Sequence, residues 1–598
     1  MSYTAPLADM RFALEEVAEF DELARLPGYE AASPDLVEAI LGEAAKLAET
    51  ELVPLNQPAD RAGSVLENGV VLTPPGFREA YARYVEGGWN GLASDPEYGG
   101  QGLPLALAIP VAEIWNSACM SFALCPLLTV GAVELLKAHG SEEQKRRYLA
   151  KLVTGEWTGT MNLTEPQAGS DLGAIRTRAA PARDARWGDH YRLTGQKIFI
   201  TYGDHDLASN IIHMVLARTP DAPPGSRGIS LFLVPKFLPD GADGSGSRND
   251  IRTLSLERKL GIHASPTCVL AYGEDEGAVG WRIGEENRGL EYMFTMMNAA
   301  RLNVGLQGVA IAERAYQQAR DFARSRVQGW PLGAAPSTAA PPIIHHPDVR
   351  RMLLWMRAAT EAMRSLAYYA AATIDQSRHH SERAVRRAAQ RRADLLIPVV
   401  KAWCTDLGVA VASTGIQVHG GMGYVEETGA AQHLRDARIA PIYEGTNGIQ
   451  ANDLVGRKLA RDGGATAAAL IAEMRETAGP LGDARSADIA AIIRPLQDGI
   501  DSLETATSFL VEAEPALAAA GSVPYLQLLG TVCAGWLIAR LALASERRST
   551  ESGADVAFLS AKCRIARFYA EHFLALAPGY LPGIVRGDSV LNVDPDQL

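Results

Sequence analysis

The sequence of 598 residues has few of the features that mark secreted, metal-binding or membrane-spanning proteins. Its six cysteines are scattered and form no C-x-x-C pair, so we expect reduced core residues and neither a disulfide framework nor a metal site. The N-terminus has no basic region followed by an apolar run, so no secretory signal is predicted. The longest apolar run, Leu528 to Ala544, is interrupted by Arg540 and is shorter than a bilayer-spanning helix requires. We therefore expect a cytoplasmic protein without membrane insertion, in which this run is a buried helix.

Positive charge is also scarce. The chain has 57 Lys and Arg against 70 Asp and Glu, a formal net charge of -13 that repels nucleic acid and anionic membrane. From Gly464 onward there are ten basic and sixteen acidic residues, so this region offers no basic surface. The basic run from Arg378 to Arg392 has the spacing of a solvated helix face. The composition predicts no nucleic-acid partner, and an anionic ligand would need local basic groups.

The chain lacks an internal repeat and a regular alternation of strands with helices, which disfavours a Rossmann fold or a TIM barrel. The glycine-rich segment His419 to Tyr424 does not complete G-x-G-x-x-G, because Glu426 occupies the last position. Binding of a nicotinamide cofactor therefore has little support.

What is present is 47% hydrophobic residues in a chain too long for one hydrophobic core. Apolar spacings of three and four predict helices over most of the chain, and a period of two predicts strands in its middle. We expect an α+β multidomain protein. Its predicted parts are an N-terminal extension on the surface (1–35), an all-helical domain (36–158), a β domain (159–280), a helical bundle (281–463) and a separate C-terminal helical domain (464–598).

Within the β domain, β-rich runs bounded by Gly, Pro and Asp clusters predict four strands. These runs are Tyr191 to Thr201, Ile211 to Ala217, Ile229 to Val234 and Thr267 to Tyr272. A Pro- and Ala-rich loop, Pro331 to Pro347, is predicted to interrupt the helical bundle.

The first candidate functional segment reads M-N-L-T-E-P-Q-A-G-S-D over residues 161–171. Its Pro166 and Gly169 break regular structure, while Thr164 and Ser170 place hydroxyls beside free backbone N–H groups. Such a loop can bind a polar heterocycle or an anion. From the residues alone, a polar turn held by its own side chains is the simpler interpretation.

The second segment, Q-K-I-F-I-T over 196–201, is a predicted strand in which Phe199 is ordinarily a core residue. The third segment runs from Gln417 to Gln450 and places Glu444 between Tyr443 and Gly445 in an irregular stretch. A carboxylate among aromatic and apolar neighbours is partly desolvated, which raises its pKa and makes it a better base near neutral pH. An exposed loop glutamate is the alternative.

Together these segments resemble the acyl-CoA dehydrogenase family. The first matches the pattern T-E-P-x-A-G-S-D, the second is similar to K-x-W-I-T with Phe199 in place of Trp, and I-Y-E-G-T over 442–446 resembles the segment that carries the family's base. The segment E-Y-G-G-Q-G over 97–102 adds to a similarity that covers roughly residues 36–460. The additions at both ends resemble the enlarged, C-terminally extended branch of the family. The implied fold is an N-terminal helical domain, a central β-barrel domain, a helical bundle and an extra C-terminal helical domain.

The resemblance implies FAD as the cofactor. The residues implied to contact it are Met161, Leu163, Thr164, Gly169, Ser170, Phe199, Ile200, Thr201, Arg326, Gln417, Gly420, Gly421, Thr446 and Asn447. Ser170, Arg301 and Gly445 are implied to lie on the substrate side. The segment after Arg326 is shorter than in the family, and Pro347 follows His346 where the family has Gln, so contacts on the adenine side are expected to differ.

The implied catalytic base is Glu444. A subset of the family instead carries its base on a helix of the bundle, immediately before an arginine. The corresponding arginine here is Arg301, and Ala300 precedes it, so no carboxylate competes at that position.

The implied reaction removes hydrogens from the α and β carbons of an acyl-CoA thioester and gives a trans-2-enoyl-CoA. A fatty acyl-CoA and 3-methylmercaptopropionyl-CoA are both implied substrates. Electron-transferring flavoprotein is the implied electron acceptor, as in fatty acid β-oxidation. We expect the protein to be a homodimer or a tetramer. Two alternatives stay open: an acyl-CoA oxidase that lets oxygen reach the reduced flavin, and a nucleic-acid-associated alkylation-response flavoprotein, which would need the basic surface that this chain lacks. The C-terminal domain is also a candidate module for subunit assembly.

Overall fold

The computed structural model describes residues 3–239, 246–333 and 339–598. By compactness the chain divides into two units. One, which we call the helical unit, comprises Met1–Lys46, Pro104–Ser117 and Arg301–Leu598; the other, the β unit, comprises Leu47–Leu103 and Ala118–Ala300. Residues 334–338 of the predicted loop Pro331 to Pro347 lie outside the described residues.

Helices dominate the sequence before and after the sheet. In chain order the α-helices are α1 Leu7–Glu16, α2 Phe20–Leu23, α3 Pro34–Leu47, α4 Val53–Ala62, α5 Phe77–Glu86, α6 Leu105–His139, α7 Glu142–Thr154, α8 Gly289–Ser325, α9 Pro347–His379, α10 Arg383–His419, α11 Ala430–Ala437, α12 Asn447–Asp453, α13 Ala465–Glu476, α14 Ala478–Gly482, α15 Ala487–Glu512, α16 Pro515–Ala520, α17 Ser522–Arg548, α18 Val556–His572, α19 Leu581–Val585 and α20 Asp588–Leu591. The predicted bundle and C-terminal helices are thus present. From Arg301 onward both belong to the helical unit, whereas residues 289–300 of α8 belong to the β unit. The basic run Arg378 to Arg392 spans the end of α9 and the start of α10.

The β unit carries the sheet. Its strands are β1 Val65–Glu67, β2 Val70–Leu72, β3 Trp157–Asn162, β4 Arg178–Asp184, β5 Gly188–Thr201, β6 Asn210–Ala217, β7 Ser230–Pro235, β8 Ile251–Leu256, β9 Thr267–Tyr272 and β10 Ala278–Ile283. Eight strands form a half-barrel in the order β3-β6-β7-β10-β5-β9-β8, with β4 paired to β5. The β3–β6 pair is parallel and the other ladders are antiparallel.

The four predicted strands are confirmed as β5, β6, β7 and β9, whereas β3, β4, β8 and β10 were not predicted. Of the missed strands, β4 contains Pro181 and three charged residues and is largely exposed, so it carries no alternating apolar pattern. The apolar side of the sheet closes on one core that includes Leu193, Phe232, Leu270 and Tyr272.

The segment expected to be all-helical also contains the β1–β2 hairpin, so that prediction was wrong for residues 65–72. Asn68 and Gly69 both have positive φ, 51° and 77°. This is the two-residue Asn-Gly turn whose twist matches paired strands, a signal that the sequence displays.

The N-terminal segment does not merely lie on the surface, as we had expected. Tyr3, Met10, Phe12 and Leu14 are buried. Apolar side chains at this spacing gain more from packing against the bundle than from exposure to water. The segment is also held ionically, since Lys562 on α18 pairs with Asp9 on α1.

The bundle encloses buried charge. Arg364 on α9 donates to Glu113 at 2.6 Å and to Glu313 at 2.8 Å, and Tyr368 donates its hydroxyl to Glu113 at 2.8 Å. A buried ion pair of this kind is costly to break because the remaining partner loses its counter-charge. The network joins α6, α8 and α9 within the helical unit.

Three helices of the described chain are long and apolar enough to cross a membrane: Leu105–His139, Arg383–Tyr424 and Ser522–Arg548. In each, 78% to 89% of the most apolar window is buried inside the fold. The run Leu528 to Ala544 lies in the last of these, which is 27 residues long, so our length argument was wrong while the predicted buried helix is confirmed. All six cysteines are buried and free, as expected. Within the described ranges no group of three or more His, Cys, Asp or Glu could hold a metal ion.

Candidate active site

In the β unit, a buried ion pair fastens the loop of residues 161–171 to strand β5. Lys197 Nζ donates to Glu165 Oε1 and to the Leu163 carbonyl, both at 2.8 Å. Glu165 also accepts from Thr177, through the backbone N–H at 3.0 Å and the hydroxyl at 2.6 Å. The Ile198 N–H donates to the Thr164 carbonyl at 3.0 Å. The first and second candidate segments are therefore joined into one rigid surface.

The ion pair is electrostatically matched. Burial alone would raise the pKa of Glu165, but Lys197 and the hydrogen bonds lower that pKa to about 2. Burial lowers the pKa of Lys197 to about 8 despite the attraction of Glu165. Both groups thus carry their charges near neutral pH, and the pair holds the loop in place.

Phe199 is not a core residue. Its φ is 59° and its side chain is 59% exposed, at a register shift between Lys197 and Ile200 in the β5–β9 ladder. A left-handed backbone is costly for an aromatic residue and is retained where surrounding structure and function require it. An uncovered ring beside the Thr164 and Ser170 loop fits a flat aromatic cofactor that stacks and accepts polar contacts.

The remaining flavin candidates of the β unit differ in exposure. Gly169 and Ser170 are exposed, Met161, Thr164 and Thr201 are half-buried, and Leu163 and Ile200 are buried. Since the Ile200 side chain belongs to the sheet core, only its backbone could reach a ligand. The Thr201 carbonyl accepts from the Thr160 hydroxyl at 2.8 Å, which fixes the end of β5 beside β3.

In the helical unit, Glu444 lies in a strained turn. Its φ is 57° and that of Gly445 is 83°. Gln450 Nε2 holds this turn by donating to the carbonyls of both residues at 3.2 Å. Within the described ranges, the Glu444 backbone N–H donates to no acceptor of the chain, so it is available to a ligand. The turn therefore offers a carboxylate and an N–H side by side.

Burial sets the basicity of Glu444. It raises the pKa of the carboxyl to about 7, although the charges of Arg301 and Lys401 act in the opposite direction. Burial likewise lowers the pKa of Lys401 to about 7, against the charges of Glu444 and Asp406. A carboxylate with a pKa near 7 is well matched to a general base at neutral pH. The Glu444 residue is half-buried, in keeping with the partial desolvation that the sequence predicts.

Asn447 organises the segment that follows. Its amide donates to Asp406 at 2.7 Å and to Thr405 and the Ala402 carbonyl at 3.0 Å, and its oxygen accepts from Lys401 Nζ at 2.8 Å. Thr446 caps α12 by accepting from the Ile449 N–H. Both side chains serve the fold of the Glu444 loop, and their proposed contacts with flavin stay a prediction.

The other candidates lie on a second surface of the helical unit. Gln417, Gly420 and Gly421 at the end of α10 are exposed, and Arg326 after α8 is exposed too. A Cβ added to either glycine would meet no atom within 4 Å, so packing does not require glycine at either position, although the φ of 61° at Gly420 favours it there. Their neighbours His419 and Ser325 line one cavity of about 340 Å³. Arg301, by contrast, lies close to the Glu444 turn, 3.8 Å from the position of a Cβ on Gly445.

Sequence reasoning missed the residues that support these sites: Glu165 with Lys197, and Lys401 with Asp406. Lys401 and Asp406 lie in the apolar run I-P-V-V-K-A-W-C-T-D of α10, where a buried charge needs a partner. A charged residue within an apolar run therefore indicates a buried ion pair or hydrogen bond, although it does not identify the partner.

The half-barrel, the helical bundle, the uncovered aromatic ring and the desolvated carboxylate are in keeping with a flavin-dependent oxidoreductase. Family models match the chain along most of its length: acyl-CoA dehydrogenase N-terminal domain over 35–156, middle domain over 160–273 and C-terminal domain over 287–459, and acetyl-CoA dehydrogenase C-terminal like over 470–594. The chain belongs to the acyl-CoA dehydrogenase family.

A relative in sequence agrees with this assignment, and solved structures agree with the fold. The 3-methylmercaptopropionyl-CoA dehydrogenase of Ruegeria pomeroyi is 48% identical over 99% of this chain and 100% of its own length. The structure of ACDH-11 of Caenorhabditis elegans in complex with C11-CoA has a TM-score of 0.77 at 21% identity and covers 100% of this chain and 96% of its own. A chain from the work on the electron transferring flavoprotein of Acidaminococcus fermentans has a TM-score of 0.59 at 27% identity and covers 72% and 99%.

The family uses FAD and oxidises CH–CH groups of acyl-CoA thioesters, so this chain is an FAD-dependent acyl-CoA dehydrogenase. The surface of the β unit fits that cofactor by the exposed, strained Phe199 and by the polar loop that Lys197 holds in place. The predicted family, fold, enzyme class and cofactor are confirmed.

Proposed function

We propose that Glu444 is the base that removes the α proton of a bound acyl-CoA thioester to give a trans-2-enoyl-CoA. The observation that carries the proposal is the desolvated Glu444 carboxyl, with its pKa near 7, in a strained turn whose N–H is available. The α C–H of a thioester is a weak acid, so its removal needs a hydrogen-bond donor at the carbonyl oxygen, where negative charge develops. The Glu444 N–H is our candidate for that donor.

The β unit and the helical unit contribute different residues to the proposed reaction. Bound FAD would supply the acceptor for the hydride that leaves the β carbon. We assign binding of the cofactor to Met161, Thr164, Ser170, Phe199 and Thr201 of the β unit. In the helical unit, Arg301 and Lys401 act on the charge of Glu444, and Gln450 holds the turn that orients it.

For the substrate, we propose a 3-methylmercaptopropionyl thioester before the fatty acyl-CoAs. The support is the 48% identity over nearly the whole length to the Ruegeria pomeroyi enzyme that bears this name. We further propose electron-transferring flavoprotein as the acceptor, a homodimer as the assembly and the cytoplasm as the compartment. The free, buried cysteines are in keeping with a reducing compartment.

The test compares Glu444→Gln with Glu512→Gln, an exposed glutamate at the end of α15. The purified yellow proteins are titrated anaerobically with a panel of acyl-CoAs that includes the methylthio-propionyl thioester, and flavin bleaching is followed. We expect Glu444→Gln to keep its flavin and to lose bleaching with every thioester, while the control behaves as wild type. Retained bleaching in Glu444→Gln would reject the assignment of the base.

A further inference from the structure

A second cavity of the helical unit, about 440 Å³ in volume, shares no residue with the site described above. It lies where the last turns of α8, the start of α9 and the middle of α18 meet. Its size falls within the range of small-molecule sites, about 300–1,000 Å³. We call it the arginine cavity.

The charge of this cavity contrasts with that of the chain. Its lining includes no Asp or Glu among the described residues, although the whole chain has a formal net charge of -13. The arginines that line it are Arg320, Arg324, Arg350, Arg357 and Arg564. Like charges packed around one concave surface repel each other, so an anion that binds there relieves repulsion as well as gaining contacts.

Two of the five arginines already pair with a carboxylate. Arg357 pairs with Glu361 at 2.9 Å, and Arg320 pairs with Asp321 at 2.8 Å. The other three, Arg324, Arg350 and Arg564, have no carboxylate within 4.0 Å in the described parts of the chain. Three helices thus each supply one guanidinium without a counter-charge.

Two of these three side chains are held by neighbouring groups. Arg350 Nε donates to the Ile344 carbonyl at 3.1 Å, and Arg564 donates to the Ser560 hydroxyl at 3.1 Å. Arg350 Nη2 also lies 3.3 Å from His345 Nδ1, so Nη1 is the Arg350 nitrogen that stays available to a phosphate oxygen. Holding the side chains in advance reduces the entropy lost on binding.

The cavity also has an apolar part. Leu353 and Ile565 are buried in its floor, and Leu354 is 39% exposed. The Tyr316 ring lies 5.8 Å from the Arg320 guanidinium, measured from the ring centroid. An aromatic ring, a guanidinium plane and apolar side chains are the surfaces on which a nucleobase stacks. A ligand that fits both parts carries negative charge at one end and a flat ring at the other.

We propose that the arginine cavity binds a nucleotide, with its phosphates on Arg324, Arg350 and Arg564 and its base against Tyr316, Leu353 and Leu354. Inorganic phosphate would satisfy the charged part alone, and adenosine the apolar part alone. An acidic peptide would satisfy the charges without the ring. This inference is independent of the role proposed for Glu444.

The test is calorimetric titration of the FAD-loaded protein with ADP, inorganic phosphate, adenosine and a hexaglutamate peptide, while the flavin spectrum is monitored to exclude displacement of FAD. The variants are Arg324→Gln/Arg564→Gln and Leu354→Glu, which adds a carboxylate to the cavity. Arg494→Gln is the matched control, because Arg494 is 91% exposed on α15. We expect one ADP site whose affinity falls about tenfold or more in both cavity variants and is unchanged in the control.

Localisation separates the arginine cavity from any other nucleotide site. Illumination with 8-azido-ADP should label a peptide within residues 316–324, 344–357 or 561–565, and excess ADP should suppress that label. The proposal is overturned if ADP does not bind, if all variants bind it alike or if the label lies elsewhere. It is equally overturned if phosphate binds as tightly as ADP, or if the hexaglutamate peptide binds and ADP does not.

Discussion

Lys401 is the residue whose replacement best tests how the chain sets the basicity of Glu444. It is fully buried, its Nζ lies 2.8 Å from Asn447 Oδ1, and its charge stabilises the Glu444 carboxylate. Lys401→Met keeps the length and apolar character of the stem and removes only the charged group. If Lys401 helps to ionise Glu444, the variant needs a higher pH to deprotonate the base.

The size of the effect follows from the two pKa values. An opposite charge within about 4–6 Å lowers a carboxyl pKa by about 1–3 units. Lys401 and Glu444 both have a pKa of about 7, so they titrate as a pair and the lysine is only partly charged where the carboxylate forms. We therefore use the low end of this range of pKa shifts. We expect the midpoint of Glu444 ionisation in Lys401→Met to rise by about one pH unit, equivalent to about 1.4 kcal/mol.

The direction of the rate change follows from the fraction of Glu444 that is ionised. With a midpoint near pH 7, about half of Glu444 is ionised at pH 7; with a midpoint one unit higher, about a tenth is ionised. The rate of anaerobic flavin bleaching by a saturating acyl-CoA should then fall about fivefold at pH 7 and about ninefold at pH 6, and should differ little at pH 9. The assay is a stopped-flow pH profile of this step.

The matched control is Lys458→Met, since Lys458 is a largely buried lysine of the same unit whose neighbours are Asp394 and Asp453. Its profile should superimpose on that of wild type. A Lys401→Met profile that is lowered equally at every pH, with an unmoved acid limb, would show that Lys401 only supports the loop and would refute the electrostatic reasoning.

Three further changes probe the local geometry. Gly445→Ala puts a Cβ 2.7 Å from Gln450 Nε2 at a φ of 83°, so we expect about 1–3 kcal/mol of strain, a lower kcat and unchanged flavin content, measured by turnover and absorbance. Lys197→Met leaves Glu165 buried without its partner and should cost about 3–5 kcal/mol in urea unfolding. Phe199→Ala should change unfolding little because the ring is exposed, yet weaken retention of FAD during gel filtration; full retention would contradict its contact with the cofactor.

The candidate site could be read from the sequence where its chemistry depends on short, contiguous segments. The residues around Glu444 and the loop of residues 161–171 are each less than a dozen positions long, and their Gly and Pro positions constrain the backbone locally. The same holds for the strands with apolar patterns, β5, β6, β7 and β9. Local signals therefore predicted part of the sheet, and the resemblance of short motifs supplied Glu444 as the candidate base.

The contacts that the sequence does not reveal join residues that are distant in sequence. Glu165 and Lys197 are 32 positions apart, and Lys401 and Asn447 are 46 apart. A single sequence shows that a charge lies in an apolar run, but its partner is defined only when two elements pack. For the same reason, the burial of the N-terminal segment was missed, because Lys562 stands 553 positions from Asp9.

Backbone strain adds an argument that sequence could not supply. Several residues with positive φ, such as Asn68, Asp221 and Asn287, are Asn or Asp, for which the left-handed region is easily reached in turns. Phe199 and Glu444 are neither Asn nor Asp, so a positive φ costs them more. The Phe199 ring is exposed, so packing within the β unit does not require this conformation. The Glu444 carboxyl is desolvated and has no hydrogen-bonded partner among the described residues. A chain retains costs of this kind where a ligand makes use of them. Tyr202 and Ile262 also have positive φ, but both are buried, so contacts within the fold hold them. The strained backbone at Phe199 and Glu444 thus agrees with the two positions that the motifs single out for contact with a ligand.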